Sequence, residues 1–151
     1  MSKITPCLWL DGPVDEAVRF YKSVFPTAKL GEVMRKDDQV FAGTFELEGQ
    51  SFMAISGRPP GVAFTDAVSF FVRCDSQKEV DYFWSKLTEG GKESHCGWLK
   101  DRFGVSWQVI PANLTRYLSD PDPAKSGRVM QAMLKMQKLD IAALDAAYAG
   151  G

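Results

Sequence analysis

The chain carries one imidazole, His95, and three thiols, Cys7, Cys74 and Cys96. Nucleophilic catalysis needs a Ser or Cys within hydrogen-bond reach of a base, so any imidazole-based version must use His95. Its neighbour Cys96 is a poor partner, because adjacent residues on a strand point to opposite faces. A lone His on a strand reads first as a structural or surface residue. The cysteines are odd in number and lack C-x-x-C spacing, which argues against a structural zinc or a redox pair and for buried, reduced thiols. No catalytic residue is assigned on these grounds. Lys100, Asp101 and Arg102, ahead of Phe103-Gly104, allow two readings. One is a solvated β-turn in which Gly104 supplies an unusual backbone angle; the other is a rim that clamps an anionic substrate.

These residues are positioned by a repeat. In D-G-P-V-D-E-A-V-R-F-Y-K-S-V-F-P, from Asp11, Gly and Pro mark a helix start, acids fill the first turn and Pro26 ends it. Ala17, Phe20, Tyr21 and Val24 form one apolar face. Val80, Phe83, Trp84 and Leu87 repeat that spacing 63 residues later. The pattern predicts helices near 13–24 and 76–88, and strands near 4–10, 29–35, 40–48, 51–56, 67–74, 92–99 and 105–110. Two βαβββ modules, residues 1–60 and 64–111 of a single domain 1–151, would pair their sheets and enclose a cleft where a ligand would sit. The fold class is α+β. A C-terminal extension, 112–151, reads as a helical turn over 112–118, a break at Asp120-Pro121-Asp122-Pro123, a helix over Lys125–Met136 and a last helix over Asp140–Tyr148. Its apolar face, with Val129, Met130, Met133, Leu134, Met136, Ile141 and Leu144, must either cap its own domain or pack on a second subunit.

Alternation sorts the strand residues into faces. Thr5, Cys7 and Trp9 share one, Ser69 and Phe71 share another, and Ser106, Gln108 and Ile110 lie opposite Val105, Trp107 and Val109. Periodicity does not choose which of the last two faces lines a cleft. Composition narrows the partners. The 151 residues hold 18 Lys plus Arg against 19 Asp plus Glu, interspersed, for a net charge of −1, which leaves no electrostatic footprint for nucleic acid or an anionic bilayer. At 45% hydrophobic and 25% charged residues, the chain matches an ordinary globular protein. No apolar run approaches a membrane span, and Pro6 and Asp11 interrupt any signal-peptide core, so a cytoplasmic location is expected.

The duplicated plan, the segment Asp11–Pro26 and C-G-W-L-K-D-R-F-G-V-S-W-Q-V-I-P over Cys96–Pro111 together resemble the PhnB-like branch of the vicinal oxygen chelate superfamily, the glyoxalase/bleomycin resistance/dioxygenase fold. Members of that branch often carry the label 3-demethylubiquinone-9 3-methyltransferase. The resemblance implies Gln108 in the cleft, and metal-ligand positions at Thr5 (or Cys7 with a slipped register), Ala54, Ser69 and Gln108. Hydroxyls and one amide do not supply the donors that a divalent transition metal needs, so no metal and no cofactor are expected. A methyltransferase would need a Gly-rich loop after a first parallel strand, whereas Gly12 and Gly90-Gly91 stand isolated. The reading is a protein that binds a small, partly apolar or planar molecule in the inter-module cleft, through Thr5, Cys7, Trp9, Ser69, Phe71 and Gln108, with Trp98, Lys100 and Asp101 at a possible rim. Trp9, Phe71, Trp98 and Trp107 also read as plain core. The alternatives are a metal-dependent glyoxalase- or dioxygenase-type enzyme and the methyltransferase of the label. The apolar tail adds the expectation of a two-fold homodimer.

Overall fold

The computed structural model describes residues 2–150, which divide into two compact units between Ala63 and Phe64. The first runs β1 (Cys7–Trp9), α1 (Val14–Val24), β2 (Lys29–Lys36), β3 (Gln39–Leu47) and β4 (Gln50–Ile55). The second repeats the plan with β5 (Ser69–Cys74), α2 (Gln77–Thr88), β6 (Lys92–Glu93), β7 (Trp98–Lys100) and β8 (Ser106–Pro111). It continues into α3 (Ala112–Leu118), α4 (Pro123–Met133) and α5 (Ile141–Ala149). Each sheet has four strands, ordered β1-β4-β3-β2 and β5-β8-β7-β6. The two βαβββ modules expected from the repeat are present.

The sheets are mixed. β1 pairs in parallel with β4, and β5 with β8. The crossover through the helix and two further strands returns the chain beside the first strand in its own direction. In the first module Val14, Ala17, Phe20, Tyr21 and Val24 of α1 are buried. Tyr21 stacks on Phe45 at 5.9 Å and Phe45 on Phe52 at 5.4 Å, joining helix to sheet. Each such side chain contributes about 1.5–3 kcal/mol on full burial. In the second module Val80, Trp84 and Leu87 of α2 are buried over Leu99, Trp107 and Val109. α2 is capped by Ser76, whose side chain accepts from the Glu79 N–H at 3.2 Å, and the Glu79 carboxylate in turn accepts from the Asp75 N–H at 2.6 Å.

Three expectations are corrected. The first strand is short because Pro6 offers no N–H to a ladder, and Ile4 and Thr5 are exposed before it. The run 92–99 is broken into β6 and β7 by a turn with Cys96 at φ 59° and Gly97 at φ 83°. A Cβ at Gly97 would lie 2.9 Å from both Ile110 Cδ1 and the Val109 carbonyl oxygen, so only glycine fits there. His95 is exposed in that turn, and the strand premise for setting His95 and Cys96 on opposite faces does not hold. Finally, α4 starts within the predicted break, with Asp122 accepting from the Ala124 N–H at 2.9 Å and Pro123 opening the helix.

The tail covers its own module. Val129, Leu139 and Leu144 are buried in one cluster with Ile110 of β8 and Leu114 and Tyr117 of α3. Tyr117 stacks on Tyr148 at 4.1 Å and donates to Asp145 at 2.7 Å, while the Tyr148 hydroxyl donates to Asp120 at 2.5 Å. Gln77 at the start of α2 donates to the Leu139 carbonyl at 3.1 Å and accepts from the Ile141 N–H at 2.8 Å. Leu144, expected as a candidate for burial between subunits, is thus buried within its own chain. Met130 and Leu134 stay 38% and 55% exposed. Among the described residues no helix is long and apolar enough to cross a membrane.

Candidate functional site

In the second module, strand register sets Phe71, Gln108 and Trp98 side by side across β5, β8 and β7. The adjacent row is Ser69, Ser106 and Lys100. Phe70 and Trp107 turn the other way and meet edge to face at 5.3 Å beneath α2. Alternation therefore leaves both rows on the face away from that helix. Gln108 Nε2 donates to Ser69 Oγ at 3.0 Å. The Ser106 hydroxyl donates to Asp66 at 2.6 Å, and Lys100 Nζ lies 4.0 Å from the same carboxylate oxygen. Phe71 is 54% exposed, which is unusual for plain core. A planar group can lie against Phe71 or Trp98 while the neighbouring amide and hydroxyl meet its polar edge.

In the first module the face away from α1 carries the row Cys7, Met53 and Thr44, then the row Trp9, Ile55 and Ala42. Trp9 is 40% exposed and its indole N–H donates to the Ser56 carbonyl at 3.1 Å. Thr5 precedes β1 and lies outside its paired rows. Ala54, expected among the ligand positions, is fully buried with Leu8 and Phe52 on the α1 face. Met53 and Ile55 take the open face instead. Both alternations of Ser51–Ser56 are apolar, so the sequence pattern could not select between them.

Asp101 does not sit at a rim. It is 3% exposed, and its carboxylate accepts from the Phe103 N–H at 2.9 Å, the Val105 N–H at 3.1 Å and Trp107 Nε1 at 2.9 Å. The acid holds the turn between β7 and β8, with Gly104 at φ 87°, and ties it to the indole beneath α2. Lys100, one residue earlier, is on the opposite face beside Asp66. Asp66 was not singled out in the sequence because it precedes the strand, where alternation gives no signal.

Two of the thiols, Cys74 and Cys7, are poor nucleophiles. Burial, with Glu79 and Asp75 adding to it, pushes Cys74 up to about 12, and burial also raises Cys7. The donor set does not fit a divalent metal. Ser69 Oγ already accepts the Gln108 amide, Ala54 has no donor and faces the helix, and the open face of the first module offers a thiol, a thioether and the Thr44 hydroxyl, which already accepts the Glu32 N–H at 2.9 Å. Among the described residues no group of three or more His, Cys, Asp or Glu side chains could hold a metal ion. Separately, a groove of about 490 Å³ at the start of α1 is lined by Asp11, Asp15, Glu16, Asp38, Arg19 and Arg35 among others, and by none of the expected site residues. Its charges include the ion pair Arg19–Asp15 at 3.3 Å, and Arg58 pairs with its Asp11 at 3.3 Å.

Residues 2–110 match the family model described as 3-demethylubiquinone-9 3-methyltransferase. Among solved structures, the PhnB protein of Bacillus cereus, named for the same methyltransferase, is similar at 33% identity with a TM-score of 0.68, over 74% of this chain and 100% of that one. A protein of Pseudomonas aeruginosa is similar at 22% identity and a TM-score of 0.59, over 71% of this chain and 95% of that one. The fosfomycin resistance protein FosX of Listeria monocytogenes, complexed with Mn(II) and sulfate, shares the fold at 12% identity and a TM-score of 0.53, over 70% of this chain and 88% of that one. No curated protein matches. The repeat, the two mixed sheets and these likenesses agree: the chain belongs to the PhnB-like 3-demethylubiquinone-9 3-methyltransferase family and has the glyoxalase/bleomycin resistance/dioxygenase fold.

Proposed function

We propose that this protein binds a small, partly planar molecule, without a bound metal, on the sheet faces turned away from its helices. The observation that carries the reading is the row Phe71–Gln108–Trp98, in which an amide bonded to Ser69 stands between two aromatic rings. Cys7 and Trp9 supply the corresponding surface of the first module, and Lys100 beside Asp66 supplies charge. An apolar surface with a few placed polar groups suits such a ligand. Mass spectrometry of what the purified protein releases on denaturation tests the reading. A stoichiometric organic molecule, absent from Phe71→Ala, supports it; release of nothing organic from protein holding one Zn, Ni, Mn or Fe per chain overturns it in favour of a metal-dependent enzyme.

The family description favours methyl transfer as a second reading. Against it stand the four-stranded mixed sheets and a β1 that leads into Asp11-Gly12-Pro13 rather than a Gly-rich phosphate or adenosine loop. Calorimetric titration with S-adenosylmethionine is expected to give no heat, and saturable heat would establish the methyltransferase. We further propose a homodimer in the cytoplasm. Three free thiols suit a reducing compartment, and the exposed Leu30, Val33, Met34, Met130 and Leu134 suit a second subunit.

A further inference from the structure

β2 is the outer strand of the first sheet, and all eight of its residues, Lys29–Lys36, are exposed. An edge strand offers backbone donors and acceptors to another strand, and natural edges are protected against this by short length, bulges or charge. β2 has bulges, and at Gly31 a Cβ would collide with Thr44 Oγ1. Yet Leu30, Val33 and Met34 are 57%, 53% and 45% exposed along it, with Phe41 of β3 at 42%.

β2 carries Lys29, Arg35 and Lys36 against Glu32, and one register brings opposite charges of two copies of the strand together. By alternation Glu32, Met34 and Lys36 share one face. We propose that β2 pairs antiparallel with β2 of a second copy of this chain, about a two-fold axis at Met34. About an axis normal to the sheet, the residue two before the centre faces the residue two after it in the copy. Centred on Met34, Glu32 faces Lys36 of the second copy on both sides of a Met34–Met34 contact. On the other face Val33 lies against the aliphatic stem of Arg35. A centre at Val33 would set Glu32 opposite Met34. A centre at Glu32 or Arg35 would oppose like charges, which destabilises a cross-strand pair. The Met34 centre alone satisfies both charges, and it joins the two first sheets into one of eight strands. This interface rests on the homodimer reading above and locates it.

Light scattering across a dilution series of the full chain tests it. Wild type is expected at twice 16.8 kDa. Glu32→Lys sets like charges opposite each other at two places and weakens dimerisation by about tenfold or more. Adding Lys36→Glu to that variant restores the opposite signs and recovers wild-type affinity. Both positions are exposed, and circular dichroism checks that the fold persists. A dimer unaffected by Glu32→Lys but dissociated by Leu134→Lys overturns the β2 interface while keeping the dimer, and a double variant no tighter than Glu32→Lys overturns it as well. A wild-type mass of 16.8 kDa throughout overturns both this interface and the homodimer.

Discussion

Replacing Asp101 with Ala removes the acceptor for two backbone N–H groups and the Trp107 indole, at 2.9–3.1 Å, from a position only 3% exposed. Each buried donor left without a partner costs about 1–3 kcal/mol. Water will enter beside Phe103, where the turn is partly open, so the total is about 3–5 kcal/mol rather than the full sum. For a chain of this size that is a fall in Tm of roughly 6–20 °C. Asp101→Asn keeps one carbonyl acceptor and turns an NH₂ toward a donor, so it should lose about half as much. Thermal and urea unfolding followed by tryptophan fluorescence reads both variants, since Trp107 is itself a bonded partner. If Asp101→Ala cost less than about 1 kcal/mol, the carboxylate would not be organising the turn, and the rim reading of the segment would return.

Gly97→Ala should destabilise the second module by about 1–3 kcal/mol in urea, because the backbone is left-handed there and a Cβ meets Ile110 and Val109. Cys74 holds its proton to about 12 when folded but ionises near 9 when unfolded. The native state therefore binds more protons between those values, and stability should fall as pH rises from 9 toward 12, by up to about 1.4 kcal/mol per unit. Cys74→Ala should make that slope shallower, leaving the part from Cys7, Tyr117 and Tyr148, which are raised too; an unchanged slope would assign it to those groups alone. Deleting the chain after Pro123 strips Val129, Leu139 and Leu144 from Ile110, Leu114 and Tyr117, so the truncated chain should bind a hydrophobic dye and unfold at lower urea. A truncated chain as stable as the whole would show that the tail does not cap the module.

The helices were legible because their apolar residues fall at i, i+3, i+4 and i+7 in both copies, between marked starts and stops. Ala17 and Tyr21 with Phe45 and Phe52 show that this periodicity reports a real buried face. What the sequence could not carry was the side of each sheet. Residues 51–56 alternate between two apolar sets, so Ala54 was placed where Met53 and Ile55 stand. Asp101 was misread because turn-organising acids and rim acids look alike until their donors, here including an indole six residues on, are located. The break at 94–97 was hidden because its turn is held from distant chain segments: the Cys96 and Gly97 N–H groups donate to the Met136 and Gln137 carbonyls at 2.9 and 2.8 Å, and Gly97 lies close against Ile110 and Leu139.

The claim that the Phe71–Gln108–Trp98 row binds a small organic molecule is tested most directly by native mass spectrometry of the intact chain beside Gln108→Ala. Wild type should carry an organic mass excess at one per chain, and Gln108→Ala, with Ser69 deprived of its amide donor, should lose it while keeping its fold. An excess retained unchanged in Gln108→Ala, or one equal to a single divalent metal ion, would contradict the account.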